Sequence, residues 1–304
     1  MIKEALYYSK IDKDNVQCNL CPHNCKIECG KSGICIPRKA VRSEDGDVIL
    51  ITNNYEAITS IAIDPIEKKP LYHFHPGSNI LSAGTFGCNF KCSFCQNHTI
   101  SQQEVDYKNI SCEELVDTSI NLPNNVGIAF TYNEPFIWYE YVLECAKLLK
   151  EKSVYKKVVL VTNGYVNKEP LEHLLPHIDA MNIDLKGNDK YYKSLCKGNL
   201  NPVLQTIETA YKKGCHIEIT TLLVTGENTD ENSLIEIRDF ISNLSADIPV
   251  HISRYFPMYK QKSDITSLEI MQKAYHLLKE KLNYVYIGNI SDEERQYIKT
   301  SKYL

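Results

Sequence analysis

The 304-residue chain has no long apolar run, no strong charge of either sign, no internal repeat and no low-complexity tract. Each lack removes a class of protein. A membrane-spanning helix needs roughly 18 uninterrupted apolar residues, and no stretch approaches that. The opening Met1-Ile2-Lys3-Glu4-Ala5 lacks a secretory hydrophobic region, so the expected location is the cytoplasm. A net charge of -4 argues against nucleic-acid binding driven by counterion release, local basic patches aside. With 43% hydrophobic and 24% charged residues, the chain is neither disordered nor fibrous by composition.

What the chain does have is 12 cysteines. Cytosolic thiols stay reduced, so clustered cysteines there point to metal or catalysis rather than to disulfides. Cys88, Cys92 and Cys95 stand in a C-x3-C-x2-C run, Gly87-Cys88-Asn89-Phe90-Lys91-Cys92-Ser93-Phe94-Cys95-Gln96-Asn97. A structural zinc wants four ligands and an electron-transfer iron–sulfur cube takes four cysteines, whereas three leave one iron of a cube open to a small molecule. A second group, Cys18, Cys21, Cys25, Cys29 and Cys35, supplies five thiols, and four thiolates suit structural zinc or another iron–sulfur cluster equally. Packing without metal is the alternative. Cys112, Cys145, Cys196 and Cys215 are scattered and read as small buried hydrophobes.

Two regions differ in rhythm. Residues 1–77 form a small Cys-rich module with a β segment at 47–52, and residues 78–304 alternate short apolar strands with amphipathic stretches. Strands are expected at 79–86, 126–131, 157–161, 180–185, 216–224, 250–256 and 284–288. Capping boxes at Ser111-Cys112-Glu113-Glu114 and Thr266-Ser267-Leu268-Glu269 open helices, and Pro135 begins a helical stretch to Lys152. Such alternation implies an α/β fold whose parallel strands close into a full or partial barrel.

The loops that build a barrel's site lie at the C-terminal ends of its strands. There stand Thr131-Tyr132-Asn133-Glu134-Pro135, Thr162-Asn163-Gly164-Tyr165 and Asp184-Leu185-Lys186-Gly187, with the three cysteines after the first strand. One convergent pocket is expected, and its ligand is zwitterionic. Glu134 accepts hydrogen bonds from an ammonium, Thr162 and Asn163 engage hydroxyls or a carboxylate, and Lys186 supplies positive charge. An amino-acid head group fits. The plainer readings are a helix-terminal carboxylate for Glu134 and a surface ion pair for Asp184 and Lys186. His73 and His75, in the linker between modules, read first as packing residues, with reach into the site as the alternative, and His251 and Arg254 on the sixth strand face either pocket or core.

These residues resemble the radical S-adenosylmethionine superfamily, whose C-x3-C-x2-C run binds a [4Fe-4S] cluster with an open iron that chelates S-adenosylmethionine. Phe94, the aromatic before the last cysteine, matches too. The cysteine run, Asn133-Glu134-Pro135, Thr162-Asn163-Gly164 and Asp184-Leu185-Lys186 are similar to pyruvate formate-lyase activating enzyme. Nearly the whole chain is similar to the radical enzyme of the AmmeMemoRadiSam system, through Gln17-Cys18-Asn19-Leu20-Cys21-Pro22, the Asp64–Phe74 run, Pro76-Gly77-Ser78, Cys95-Gln96-Asn97 and Val285-Tyr286-Ile287-Gly288-Asn289.

The resemblance implies a partial (β/α)6-type barrel with a C-terminal extension, and a radical oxidoreductase. Cys88, Cys92 and Cys95 would hold the cluster, and Phe94 and Asn97 would line the adenosine side. Asn133 and Glu134 would meet the methionine amino group, with Thr162, Asn163, Asp184 and Lys186 nearby. Of the N-terminal thiols, Cys18, Cys21, Cys25 and Cys35 match the family pattern as ligands of a second metal, zinc or iron–sulfur, and Cys29 is additional. Implied partners are an electron donor such as a flavodoxin or ferredoxin, a protein or small-molecule substrate, and other components of the AmmeMemoRadiSam system. Val161 stands where activating enzymes carry an acidic residue beside a monovalent cation, so that cation is not expected. The rival classes are an iron–sulfur electron carrier and a zinc-stabilised scaffold, and both leave the polar strand ends unexplained.

Overall fold

A computed structural model describes residues 3–300. Runs such as Lys157–Thr162, with three consecutive buried residues Val158, Val159 and Leu160, carry branched side chains that suit a sheet covered on both faces. Eight strands form one sheet: β1 (Ser60–Pro65), β2 (Asn79–Gly84), β3 (Asn125–Phe130), β4 (Lys157–Thr162), β5 (Ala180–Asp184), β6 (His216–Leu223), β7 (Val250–Arg254) and β8 (Val285–Gly288). They lie side by side in chain order. β2 to β8 pair in parallel, one strand more than six units give, and β1 pairs antiparallel with β2. The pairing ends on β1 and β8, so the barrel is partial.

Helices fill the crossovers: α1 (Cys112–Asn121), α2 (Tyr139–Lys152), α3 (Lys168–Leu174), α4 (Leu200–Lys212), α5 (Glu231–Leu244) and α6 (Leu268–Lys279), with α7 (Asp292–Thr300) after β8. Ser111 caps α1 by accepting from the Glu114 amide, as its sequence predicts. The cap of α6 is Ser267, which accepts from Ile270, whereas Thr266 is buried and its hydroxyl donates to the Leu223 carbonyl. Pro135 opens a 3-10 turn over Pro135–Trp138 before α2 begins. The expected strand ends at Phe86, Val224 and Phe256 lie past the observed ends, in the loops that build the site.

The N-terminal residues form two small antiparallel sheets. One joins Lys3–Glu4, Val48–Thr52 and Arg38–Arg42, and the other joins Tyr8–Lys10, Asn15–Cys18 and Lys26–Glu28. The region is tied to α2 by a fully buried ion pair between Arg38 and Glu140. β1 lies before the boundary expected at residues 77 and 78, yet it is a strand of the barrel sheet. The linker after it crosses beneath the barrel, where Glu218 accepts from the amides of Tyr72 and His73 at 3.0 and 2.8 Å.

Candidate active site

The cysteine loop leaves β2 and is held by its neighbours' strand ends. Asn133, just past β3, takes the Thr85 amide at 3.2 Å and donates to the Gly87 carbonyl at 2.9 Å. Gly87 has φ 88°, and a Cβ there would strike Cys35 and Pro37, so the loop starts hard against the N-terminal region. Asn89, buried within the loop, donates to the Tyr165 carbonyl at 2.8 Å and accepts from Asn163 Nδ2 at 2.9 Å. That same Nδ2 lies 3.7 Å from Cys88 Sγ, and the Phe90 amide points at Cys88 Sγ from 3.4 Å. Ser101 Oγ is 3.2 Å from Cys95 Sγ.

Glu134 is the hub. Its carboxylate accepts from the Phe136 amide at 2.9 Å, from Thr162 Oγ1 at 2.7 Å and from the Asn163 amide at 2.7 Å. Burial lifts its pKa to about 7 against those three bonds, with Asp184 adding to the lift. A cation arriving beside it would draw it into the charged form. Asp184 and Lys186 pair at 2.6 Å, and only 13% of the Lys186 side chain is exposed, so this is no surface pair. Both act electrostatically on Cys92. Phe94 is buried against Tyr191, ring centroids 5.6 Å apart, and Asn97 donates to the Tyr132 carbonyl at 2.5 Å.

The expected site residues therefore meet at one end of the barrel. Asn133 and Asn163 spend their side-chain groups on the loop and its neighbours, and Thr162 spends its hydroxyl on Glu134, which makes them the frame of the site. Sequence reasoning missed Asn89, whose buried bridging role carries no spacing signal, and Cys196, whose carbonyl accepts from the Lys91 amide beside Cys92 at 2.9 Å. His73 lies at the opposite end: its Nε2 is 2.6 Å from the Tyr286 hydroxyl beneath the barrel. His251 is bonded there too, to Glu218 at 2.6 Å, and Arg254 pairs with Glu294. His75, at φ 47°, belongs to the turn that closes on Ser78.

Burial pushes the Cys88 and Cys95 thiols up, and Cys92 is raised first by its bond to Cys196 and then by burial. A metal's positive charge would offset that cost, since thiolates are the metal-binding form. The N–H and O–H groups aimed at Cys88 and Cys95 suit sulfur that carries negative charge. Among the described residues, no three His, Cys, Asp or Glu side chains converge on a point where one ion would sit. Three thiolates on one loop are the ligand number that a cube with one open iron would take. Cys18, Cys21, Cys25 and Cys35 line one small cavity of about 10 Å³ together with Arg38 and Ile137.

A partial parallel barrel that carries a three-cysteine loop after its first parallel strand defines a class of cluster-dependent enzymes. The chain belongs to the Radical SAM superfamily, whose family model matches residues 83–241. It is 40% identical over 96% of its length, and 87% of the relative's, to the uncharacterized protein MJ0808 of Methanocaldococcus jannaschii. It is 26% identical to the pyruvate formate-lyase-activating enzyme of Clostridium pasteurianum, over 47% of this chain and 63% of that one. Among solved structures, a radical SAM methyltransferase from Sphaerobacter thermophilus shares the fold at a TM-score of 0.56 and 17% identity, covering 83% of this chain and 76% of that one. Membership implies a [4Fe-4S] cluster and S-adenosylmethionine. Among the described residues, no helix is long and apolar enough to cross a membrane.

Proposed function

We propose that the protein is a radical enzyme whose Cys88, Cys92 and Cys95 hold a [4Fe-4S] cluster with S-adenosylmethionine at the open iron. When bound together, these groups supply one-electron cleavage of a carbon–sulfur bond to methionine and a 5'-deoxyadenosyl radical that takes hydrogen from a substrate. The observation that carries the reading is the network from Glu134 through Thr162, Asn163 and Asn89 to Cys88. It fixes an anionic hub a short way from the cysteine loop, where an ammonium would be received. Asn133 braces the loop, Asp184 and Lys186 supply paired charge beside Cys92, and Phe94 and Asn97 form the nucleoside side. A low-potential donor such as a flavodoxin or ferredoxin delivers the electron in the cytoplasm.

The substrate class we favour is a glycyl-radical protein, following the similarity to a pyruvate formate-lyase-activating enzyme. A second reading, action on a small molecule or a partner protein of the AmmeMemoRadiSam system, has its own support. Two of the separated runs that carry that resemblance meet in space, Asp64–Phe74 reaching Val285–Asn289 under the barrel through the bond of His73 to Tyr286. Anaerobic reconstitution followed by S-adenosylmethionine and dithionite should give 5'-deoxyadenosine. Its absence from protein with a full complement of iron would overturn the enzyme reading and leave the electron-carrier class. Deuterium passing from labelled glycyl-radical protein, or from components of the second system, then separates the two substrates.

A second metal at Cys18, Cys21, Cys25 and Cys35 belongs to the same proposal, supported by the cavity they share. Metal analysis distinguishes its forms: about eight irons per chain mean two cubes, and about four irons with one zinc mean a cube and an ion. About four irons alone remove the N-terminal metal.

A further inference from the structure

The buried thiol of Cys196 stands outside every cysteine motif in the sequence, yet the fold drives it onto the cluster loop. After β5 the chain makes one helical turn, Asp189–Tyr191, and widens into a π turn over Tyr192–Cys196 that Lys197 ends at φ 61°. Such turns are rare and gather at functional sites, because the extra residue re-aims a side chain. Here the residues on either side of Cys92 are both engaged. The Lys91 amide donates to the Cys196 carbonyl at 2.9 Å and the Ser93 amide to the Leu195 carbonyl at 3.1 Å. Cys92 is thereby bracketed against Cys196, and that thiol is the first cause of the raised Cys92 pKa, ahead of burial.

The neighbours hold this arrangement still. Gly198 lies so close to Phe90 that a Cβ would enter the ring, and Phe90 in turn packs on Tyr165 and Tyr192 at 4.8 and 5.8 Å. Tyr191 packs on Phe94 at 5.6 Å from the other side. Cys196 is completely buried, so its S–H has no water to serve. Lys186 and Asp184 are the charged groups that face the pair, and their mutual ion pair leaves the local balance near neutral.

We infer that Cys196 is a positioning residue for the cluster: its S–H donates to the Cys92 sulfur when that sulfur ligates iron, and so makes the cluster easier to reduce. The physical reason is charge. The reduced cluster carries one more electron, part of it on the ligand sulfurs, and a hydrogen bond to sulfur stabilises that state more than the oxidised one. This inference rests on the cluster reading above, but it concerns a residue that supplies no bond to iron.

The test compares wild type with Cys196→Ala and Cys196→Ser after anaerobic reconstitution, reading iron content and the reduced-cluster EPR signal at a fixed solution potential near the wild-type midpoint. Both variants should keep the wild-type iron content. Cys196→Ala should move the midpoint to more negative potential and lower the reduced signal about threefold, the loss of one weak hydrogen bond. Cys196→Ser keeps a donor and should recover most of the signal. Wild-type midpoints in both variants would overturn the inference. So would loss of iron equal to that of Cys92→Ala, which would make Cys196 a ligand. A wild type that binds no iron sinks the cluster reading instead, which keeps the two failures apart.

A measurement without variants guards against misfolding. In metal-free wild type, diamide takes two electrons and two protons from a thiol pair to give a disulfide and the hydrazine. Peptide mapping should find Cys92 joined to Cys196. Cys92 joined to Cys88 or Cys95, with Cys196 left free, would show that the bracket is absent.

Discussion

Glu134 shows how one residue can hold both the frame and the chemistry of a site. Three buried donors converge on its carboxylate, so Glu134→Ala leaves the Phe136 amide, the Thr162 hydroxyl and the Asn163 amide without acceptors. A loss of about 3 kcal/mol or more in urea unfolding is expected, and Glu134→Gln, which keeps one acceptor oxygen, should lose less. The sequence pointed to Glu134 because a carboxylate at a strand end is unusual, and its partner strand supplied Thr162 and Asn163. It could not separate frame from ligand among these residues. That division depends on which oxygen each donor reaches, and spacing along a chain does not encode it. Asn89 and Cys196 were invisible for the same reason.

Among the elements, the seven parallel strands were legible because each is a short, mostly apolar run, whereas the antiparallel strand Ser60–Pro65 was not expected. The cap of α1 was legible as well, since Ser111 and Glu114 have the spacing of a capping box. Ser111→Ala should cost about 1 kcal/mol, seen as a lower thermal midpoint. The cap of α6 was read one residue early, as Thr266 is drawn away to the Leu223 carbonyl by the turn after β7. Less legible was the linker. Its histidines read first as packing residues, but nothing in the spacing showed that the backbone needs an acceptor beneath the barrel, which Glu218 provides.

Glu218 makes a pH prediction for that clasp. Burial alone would raise its pKa, but bonds from His216, His251 and the amides of Tyr72 and His73 outweigh burial and bring it down to about 2. A depressed acid stabilises the fold above its ordinary pKa and loses that contribution as pH falls through the folded value. Wild type should therefore lose about 3 kcal/mol between roughly pH 5 and pH 2 from this group. Urea midpoints of Glu218→Gln should be lower at neutral pH and flatter across that window. Equal slopes for the two proteins would rule the clasp out as the source.

For the whole molecule, a barrel of parallel strands followed from strand–helix alternation and its partial closure from the family resemblance, whereas the contacts between regions followed from neither. The buried pair of Arg38 and Glu140 joins the N-terminal sheets to α2, and Arg38 also reaches Cys18 Sγ at 3.7 Å. Removing one partner strands the other's charge, so Arg38→Ala should cost about 3–5 kcal/mol in denaturant unfolding. His23 adds a second tie, its Nε2 2.8 Å from the Asn89 carbonyl in the cysteine loop. The long sequence separation of these pairs is what hid them.

The strand Ser60–Pro65 makes the two regions inseparable in a literal way. Its ladder with Asn79–Gly84 runs from Ser60 opposite Gly84 to Pro65 opposite Asn79. Trimming the gene to start at residue 78 would amputate a stave from the barrel wall. The raw flank left on Asn79–Gly84 would seek another chain to pair with. The cysteine-rich leader is thus built into the wall and cannot be lifted off as an accessory.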